Sequence, residues 1–133
     1  MTTFQSSAHI NKPIDQVYAF LADLNNHGKL MATDDVSDWS STMDEASFTI
    51  RNMLKLSLKV EERLIDEMIR IVPAEKPPFD MELKWELSAD GDYNTDVVFT
   101  ITADLNMMMK MLAAGPLQKL ADDESANLFN LLQ

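Results

Sequence analysis

The sequence contains no cysteine, which excludes a disulfide framework and any thiolate chemistry. It has three glycines in 133 residues, too few for the Gly-rich loops whose backbone N–H groups cradle phosphates. No Walker loop, G-x-G-x-x-G, G-x-S-x-G or H-E-x-x-H motif occurs. Basic residues number 11 against 22 acidic ones, a net charge of −11. Nucleic-acid backbones and anionic membrane surfaces repel such a chain, so no nucleic-acid partner is expected. No apolar run approaches the roughly 20 residues that span a bilayer. The opening MTTFQSSAHI has neither the basic nor the apolar region of a secretory signal. A cytoplasmic location without membrane insertion is the expectation.

What is present is ordinary for a globular protein, with 46% hydrophobic and 25% charged residues. A chain of this length buries about two-thirds of its unfolded surface, enough for one core; a single domain over 1–133 is expected. Phe4 to Ile10 alternates as a strand. Pro13 is read as the first residue of a helix, with Asp15 complementing its dipole. Ile14, Val17, Phe20 or Leu21, and Leu24 then recur at helical spacing. Asn25-Asn26-His27-Gly28 reads as the helix C-cap, with one further turn over Lys29–Met31.

From about Val36 the period changes to two. Val36–Thr42 carries Trp39, and Met43-Asp44-Glu45 reads as a tight turn. Ala46, Phe48 and Ile50 alternate with polar neighbours. Leu54, Leu56, Leu58, Val60, Glu62 and Leu64 share one face, and Met68–Val72 forms a shorter strand closed by Pro73. A loop over Ala74–Pro78 precedes the cleanest alternation, Phe79, Met81, Leu83, Trp85, Leu87 and Ala89. Asp90-Gly91-Asp92 is a hairpin signal, and Val97, Phe99, Ile101, Ala103 and Leu105 face inward after it. Arg51, Lys55, Lys59 and Arg63, interleaved with Glu61 and Glu62, read as a solvated face.

Consecutive alternating strands with short turns predict an antiparallel sheet with one wet and one buried face. The buried face needs a cover, and only the segment after Leu105 is long enough. Met107–Ala114 is helical in composition, Gly115-Pro116 is expected to break or kink it, and Leu117, Leu120, Ala121, Leu128, Leu131 and Leu132 resume helical spacing. Glu124 falls where that spacing from Leu120 expects an apolar residue.

The stretches KPIDQVYAFLADLNNHGKLM (Lys12–Met31), DWSSTMDEASFTI (Asp38–Ile50) and NMMMKMLAAGPLQKL (Asn106–Leu120), in this order of elements, resemble the START/Bet v 1-like superfamily. The closest resemblance is to bacterial polyketide-cyclase-like SRPBCC proteins. It covers nearly the whole chain and implies an α+β helix-grip fold with an internal cavity. In that fold a curved antiparallel sheet of about six to seven strands wraps around a long C-terminal helix, in the order β-α(-α)-β5/6-α. None of the three stretches is a catalytic signature, so the resemblance speaks of fold.

Candidate site residues follow from the inward phases. Phe20 and Leu24, then Phe48, Leu58, Val60, Trp85 and Phe99, and finally Met108 and Leu112 from the last helix are expected to line a ligand cavity. Apolar walls with few polar groups suit a small-molecule pocket, and the ten methionines suit either adaptable lining or plain core filling. No catalytic residue is assigned. Strict alternation points Glu62 inward, where burial raises a carboxyl's pKa and fits it for acid–base work, with Tyr18 the other polar group near the cavity. The preferred reading of Glu62 is a bulge or strand end that turns it to water.

No cofactor and no metal are expected. His9 and His27 read as surface histidines. Asp34, Asp35 and Asp38 lack the glycine of a calcium loop, and Asp122, Asp123 and Glu124 read as the solvated side of the last helix. Three functions remain: binding of a small hydrophobic molecule, lipid- or polyketide-like; a cyclase, aromatase or dehydratase using Glu62; and a protein-interaction module with a large exposed apolar patch. A homodimer stays open.

Overall fold

The computed structural model describes residues 1–31, 35–52, 54–77 and 79–132. Chain order is β1 (Thr2–Ile10), α1 (Ile14–Leu21), a 3-10 turn (Leu24–Asn26), α2 (His27–Leu30), β2 (Val36–Ser41), β3 (Glu45–Ile50), β4 (Leu54–Leu64), β5 (Met68–Pro73), β6 (Met81–Ala89), β7 (Thr95–Ala103) and α3 (Met107–Leu131). The seven strands form one curled antiparallel sheet in the order β1-β7-β6-β5-β4-β3-β2. The chain therefore winds back so that its first strand pairs with its last. This is the expected α+β helix-grip architecture.

The period-2 pattern decides the faces. On β4 Leu54, Leu56 and Leu58 are buried, on β6 Met81, Leu83, Trp85 and Leu87, and on β7 Val97, Phe99, Ile101 and Ala103. Cross-strand register joins Ser6, Phe99, Trp85 and Ile69 into one row across the inner face. Trp85 stacks on Phe99 with ring centroids 4.1 Å apart, which adds roughly 0.5–1.5 kcal/mol to the burial of the two rings. The β6–β7 hairpin turns at Gly91, whose φ of 77° suits glycine.

Four local expectations are corrected. Pro13 is the N-cap of α1, extended at φ −60° and ψ 150°, and its carbonyl accepts from the amides of Gln16 and Val17; a fixed proline φ serves this position as well as the next. The Asn25–Gly28 stretch does not cap α1, which ends at Leu21. Instead Asp23 caps the 3-10 turn by accepting from the Asn25 amide, and Gly28 lies inside α2.

At Gly28 an added Cβ would come within 2.7 Å of the Trp39 indole nitrogen, so glycine is required by close approach rather than by a turn. Finally, α3 continues through Gly115-Pro116 as one 25-residue helix. Pro116 removes the bond to the carbonyl of residue 112, but it is buried with Leu117 and Ala113, and tertiary packing outweighs the local loss.

Side chains tie the covering elements to the sheet. Arg63, expected on a solvated face, donates to the carbonyls of Ala22 (3.0 Å) and Met43 (3.1 Å) and pairs with Asp44 at 2.9 Å. It fastens the end of α1 to the β2–β3 turn. Lys119 of α3 bridges Asp35 (3.1 Å) and Asp123 (3.0 Å). Of the suggested Asp34/Asp35/Asp38 cluster, Asp34 lies outside the described residues, and Asp35 is engaged by Lys119 and Arg51.

The two helical glycines predict opposite outcomes for the same substitution. Gly28→Ala should lower stability by about 1 kcal/mol, because displacing the stacked Trp39 outweighs the gain in helix propensity. Gly115→Ala, with nothing within 4 Å of the new Cβ, should raise it by about 0.5–1 kcal/mol. Urea denaturation of the two variants measures both.

Candidate ligand site between the last helix and the sheet

The buried stripe of α3 comprises Ala113, Pro116, Leu117, Leu120, Ala121, Glu124, Ser125 and Leu128, which is i, i+3, i+4 spacing facing the sheet. A carboxylic acid thus takes a core position. Glu124 is fully buried, and neither carboxyl oxygen has a hydrogen-bond partner. The reading of Glu124 as solvated with Asp122 and Asp123 is therefore corrected, since helical phase and not local polarity decides. Burial alone pushes its carboxyl well above the ordinary range, which favours the neutral acid.

Its neighbour Ser125 fixes where it enters. Ser6 donates to the Ala121 carbonyl at 2.7 Å. Its single hydrogen is thereby used, so Ser125 donates to the Ser6 oxygen, 2.6 Å away. Ser6 belongs to the Ser6–Phe99–Trp85 row, and Trp85 Nε1 is a second buried polar atom without a partner. Asn127, one turn on, donates to the Leu30 carbonyl of α2 at 2.7 Å. In α2, His27 stands edge-on to Trp85 at 5.9 Å. α2 thus lies between α3, through Asn127, and Trp85, through His27.

His27 is buried rather than on the surface. Its Nε2 lies 2.8 Å from the Leu21 carbonyl, which can only accept, so Nε2 carries the proton. Burial lowers its pKa to about 4, leaving a neutral ring at pH 7. His9 is on the surface as expected, yet it meets carboxylates across the hairpin, Asp96 at 2.7 Å and Asp90 at 3.9 Å. The Asp96 hydrogen bond is the main cause of its raised pKa, and a histidine–carboxylate pair accounts for the grouping.

Five clefts among the described residues, of about 220 to 460 Å³, all open to solvent, and none is lined by Trp85, Phe99 or Glu124. One of about 420 Å³ lies between β1 and the C-terminal half of α3, bounded by Ser6, Ala8, Ser125, Ala126 and Phe129 among others. Its volume is in the usual small-molecule range of roughly 300–1,000 Å³. Ser6 and Ser125 form part of its wall, and the buried Glu124 precedes Ser125 in the chain.

The expected lining residues divide. Leu24, Phe48, Leu58, Trp85 and Phe99 are buried, and Phe20 and Val60 are half-buried against the core. Met108 and Leu112 are corrected: they are 71% and 52% exposed. The first turns of α3 present Met107, Met108, Met111 and Leu112 to solvent, and Met109 packs inward. Glu62 faces water, as the preferred reading of the sequence has it. A bulge between Val60 and Glu62 shifts the register, and Glu62 is 43% exposed beside Arg70 at 3.7 Å. Tyr18 packs half-buried against the core. No helix among the described residues is long and apolar enough to cross a membrane.

A curled sheet gripping a C-terminal helix defines the class by fold. By sequence the chain matches no family model and no curated protein. By structure it is similar to TTHA0849 of Thermus thermophilus (TM-score 0.76, 18% identity, covering 98% of this chain and 97% of that one). It is also similar to XoxI of Bacillus cereus (0.77, 11%, 99% and 96%). A third similar structure is the di-domain ARO/CYC protein BexL of the BE-7585A biosynthetic pathway (0.72, 13%, 98% of this chain and 46% of that one). At these identities the likeness establishes the shared fold.

Opposite pH effects follow from the two buried groups. Between about pH 6.5 and 4 the unfolded chain takes up a proton that folded His27 refuses, so His27 makes stability fall on acidification, by up to about 3 kcal/mol. Glu124 acts in reverse. Above its unfolded pKa of about 4.5 the unfolded chain releases a proton that the folded state keeps, so its contribution declines as pH rises. Glu124→Leu should therefore be more stable than the parent at pH 8, by about 1–3 kcal/mol, and the gap should shrink toward pH 4.5. Chemical denaturation across pH 4–8 measures this; a gap independent of pH would contradict it.

Proposed function

We propose that this protein binds a small, mainly apolar molecule, lipid- or polyketide-like, as a START/Bet v 1-like helix-grip protein. The molecule occupies the cleft between β1 and α3 and reaches past the Ser6–Ser125 pair to Glu124. The observation that carries this reading is the Glu124 carboxyl, fully buried without a partner for either oxygen, next in the chain to Ser125, which lines an open cleft. Buried polar groups are nearly always hydrogen-bonded, so an orphaned pair of carboxyl oxygens calls for a partner from outside the chain. It also costs stability, and stability is sacrificed characteristically at functional sites.

The same carboxyl favours a second reading, a cyclase- or dehydratase-type enzyme in which Glu124, in place of Glu62, serves as general acid. The likeness to an ARO/CYC domain supports that reading.

Filling the cleft tests binding without touching Glu124. Ala126 is exposed within it, so Ala126→Trp should change stability by no more than about 0.5 kcal/mol while weakening binding of the fluorescent probe N-phenylnaphthylamine at least about tenfold. Lys76→Trp, in a separate cleft near Pro77 and Phe79, should leave probe binding unchanged. Equal binding by both variants, or none by the parent, would count against the site.

A further inference from the structure

The first turns of α3 are apolar on two sides. Between Met107 and Ala114 Lys110 is the only polar residue, and a helix apolar all round belongs in an interior. One side is inside, through Met109 and Ala113. The other is in solvent: Met107 is 84% exposed, Met108 71%, Met111 83% and Leu112 52%. Elsewhere along the described residues, large exposed hydrophobic side chains stand singly or in pairs. At 3.6 residues per turn, Met107, Met111, Gly115, Met108 and Leu112 share an arc of about 140°. Gly115 lies near its middle, exposed and with nothing within 4 Å of where a Cβ would stand. The bare apolar surface is on the order of 500 Å², at the upper end of what a monomer leaves uncovered.

The charge pattern selects what covers it. All 22 acidic residues of the chain lie outside Leu105–Ala121, a run whose charged residues are Lys110 and Lys119. Lys119 is engaged by Asp35 and Asp123. A basic partner, which a net charge of −11 attracts, would gain nothing on this face. A nucleic acid or an anionic membrane would find Lys110 to set against a strongly acidic chain. A second copy fits better. Two copies meeting elsewhere set acid against acid over most of the surface; meeting here, they bring together two helix faces that carry no carboxylate.

The seam is also complementary to itself. Two copies of α3 laid antiparallel, about a two-fold axis between positions 111 and 112, set Met108 of each helix over Gly115 of the other. Met111 of each then faces Leu112 of the other. A flexible side chain fills the place of a missing one, and each contact occurs twice, as an isologous interface requires. We propose that this face binds a second copy of the chain through an antiparallel pair of α3 helices centred on Met111 and Leu112. With roughly 1,000 Å² buried in total, the pair is small and reversible. It leaves open the cleft at Ser125, Ala126 and Phe129, which belongs to the other half of α3, so the proposal does not rest on the ligand reading.

Sedimentation equilibrium of the full chain tests this. The parent should pass from monomer to dimer between about 5 and 500 μM, as a small interface implies. Met111→Glu puts a carboxylate near the axis on a side chain already in solvent, so the monomer keeps its fold and the dimer should weaken at least about tenfold. Gly115→Leu fills the seat of Met108 with nothing in the monomer to displace, and should do the same. Ile65→Glu, at a 77% exposed position between β4 and β5, should leave dimerisation unchanged. Single cysteines report the orientation, since the chain has none of its own. Mild oxidation should link Met111→Cys to itself across the axis. It should not link Met107→Cys, whose two copies lie about 13 Å apart along antiparallel helices.

A parent that stays monomeric at 500 μM would overturn the proposal, and adsorption of that monomer to phosphatidylcholine vesicles would identify a lipid surface as the cover instead. A dimer that survives both Met111→Glu and Gly115→Leu would place the interface elsewhere and overturn it too. Linking of Met107→Cys as readily as Met111→Cys would contradict the antiparallel register. None of these outcomes touches the cleft between β1 and α3, which stands or falls on probe binding by Ala126→Trp.

Discussion

A sheet with one apolar face has to be covered, and α3 is the longest part of the cover. Phe99, Trp85, Leu83 and Ile101 lie at or below 1% exposure because α3 packs on β1 and β7 while α1 packs on β6 and α2 sets His27 against Trp85. At about 25 cal/mol per Å² of apolar surface removed from water, that burial is the main favourable term in the fold. Every other tie, Ser6 to Ala121 and Ser125, Asn127 to Leu30, Lys119 to Asp35, fixes where the helix lies. The cover is apolar along its inner stripe except at Glu124 and Ser125, and of the two only Glu124 lacks a partner. The proposed ligand site is built on that unpaired carboxyl.

The surroundings make the departure consequential. The carboxyl has no cation against it, so its neutral form is favoured by burial alone. His27, also neutral, supplies an apolar edge to Trp85 and spends its proton on a backbone carbonyl. Among the described residues no lysine or arginine is buried beside Glu124, on a chain with a net charge of −11.

The strands were legible in the sequence because period two is unambiguous where hydrophobic and charged residues alternate one by one, as in Met81–Ala89. The register shift was legible only as a preference: strict alternation carried Glu62 inward, a bulge was the preferred reading, and one between Val60 and Glu62 turns it out. The start of α3 was illegible for a different reason. Met107–Ala114 is apolar at nearly every position, so it gives no helical phase, and the exposure of Met108 and Leu112 depends on where the helix overhangs the sheet. Gly115-Pro116 carried a strong local signal for a break, which packing of Pro116 and Leu117 overrode. Glu124 was the opposite case. Its spacing from Leu117 and Leu120 placed it in the buried stripe, but the polar composition of Asp122–Asn127 argued for solvent, and only the fold could decide. His27 had no such signal, since its burial comes from α2 folding back under Trp85.

The central claim is that Glu124 is an unpaired acid buried inside the grip. The most direct measurement is the pH titration of its side-chain carboxyl carbon by NMR in the ligand-free protein, assigned by comparison with Glu124→Leu. The midpoint should lie well above the ordinary glutamate value. A titration midpoint near 4.5, the ordinary glutamate value, would show a solvated or ion-paired carboxylate and would contradict the account.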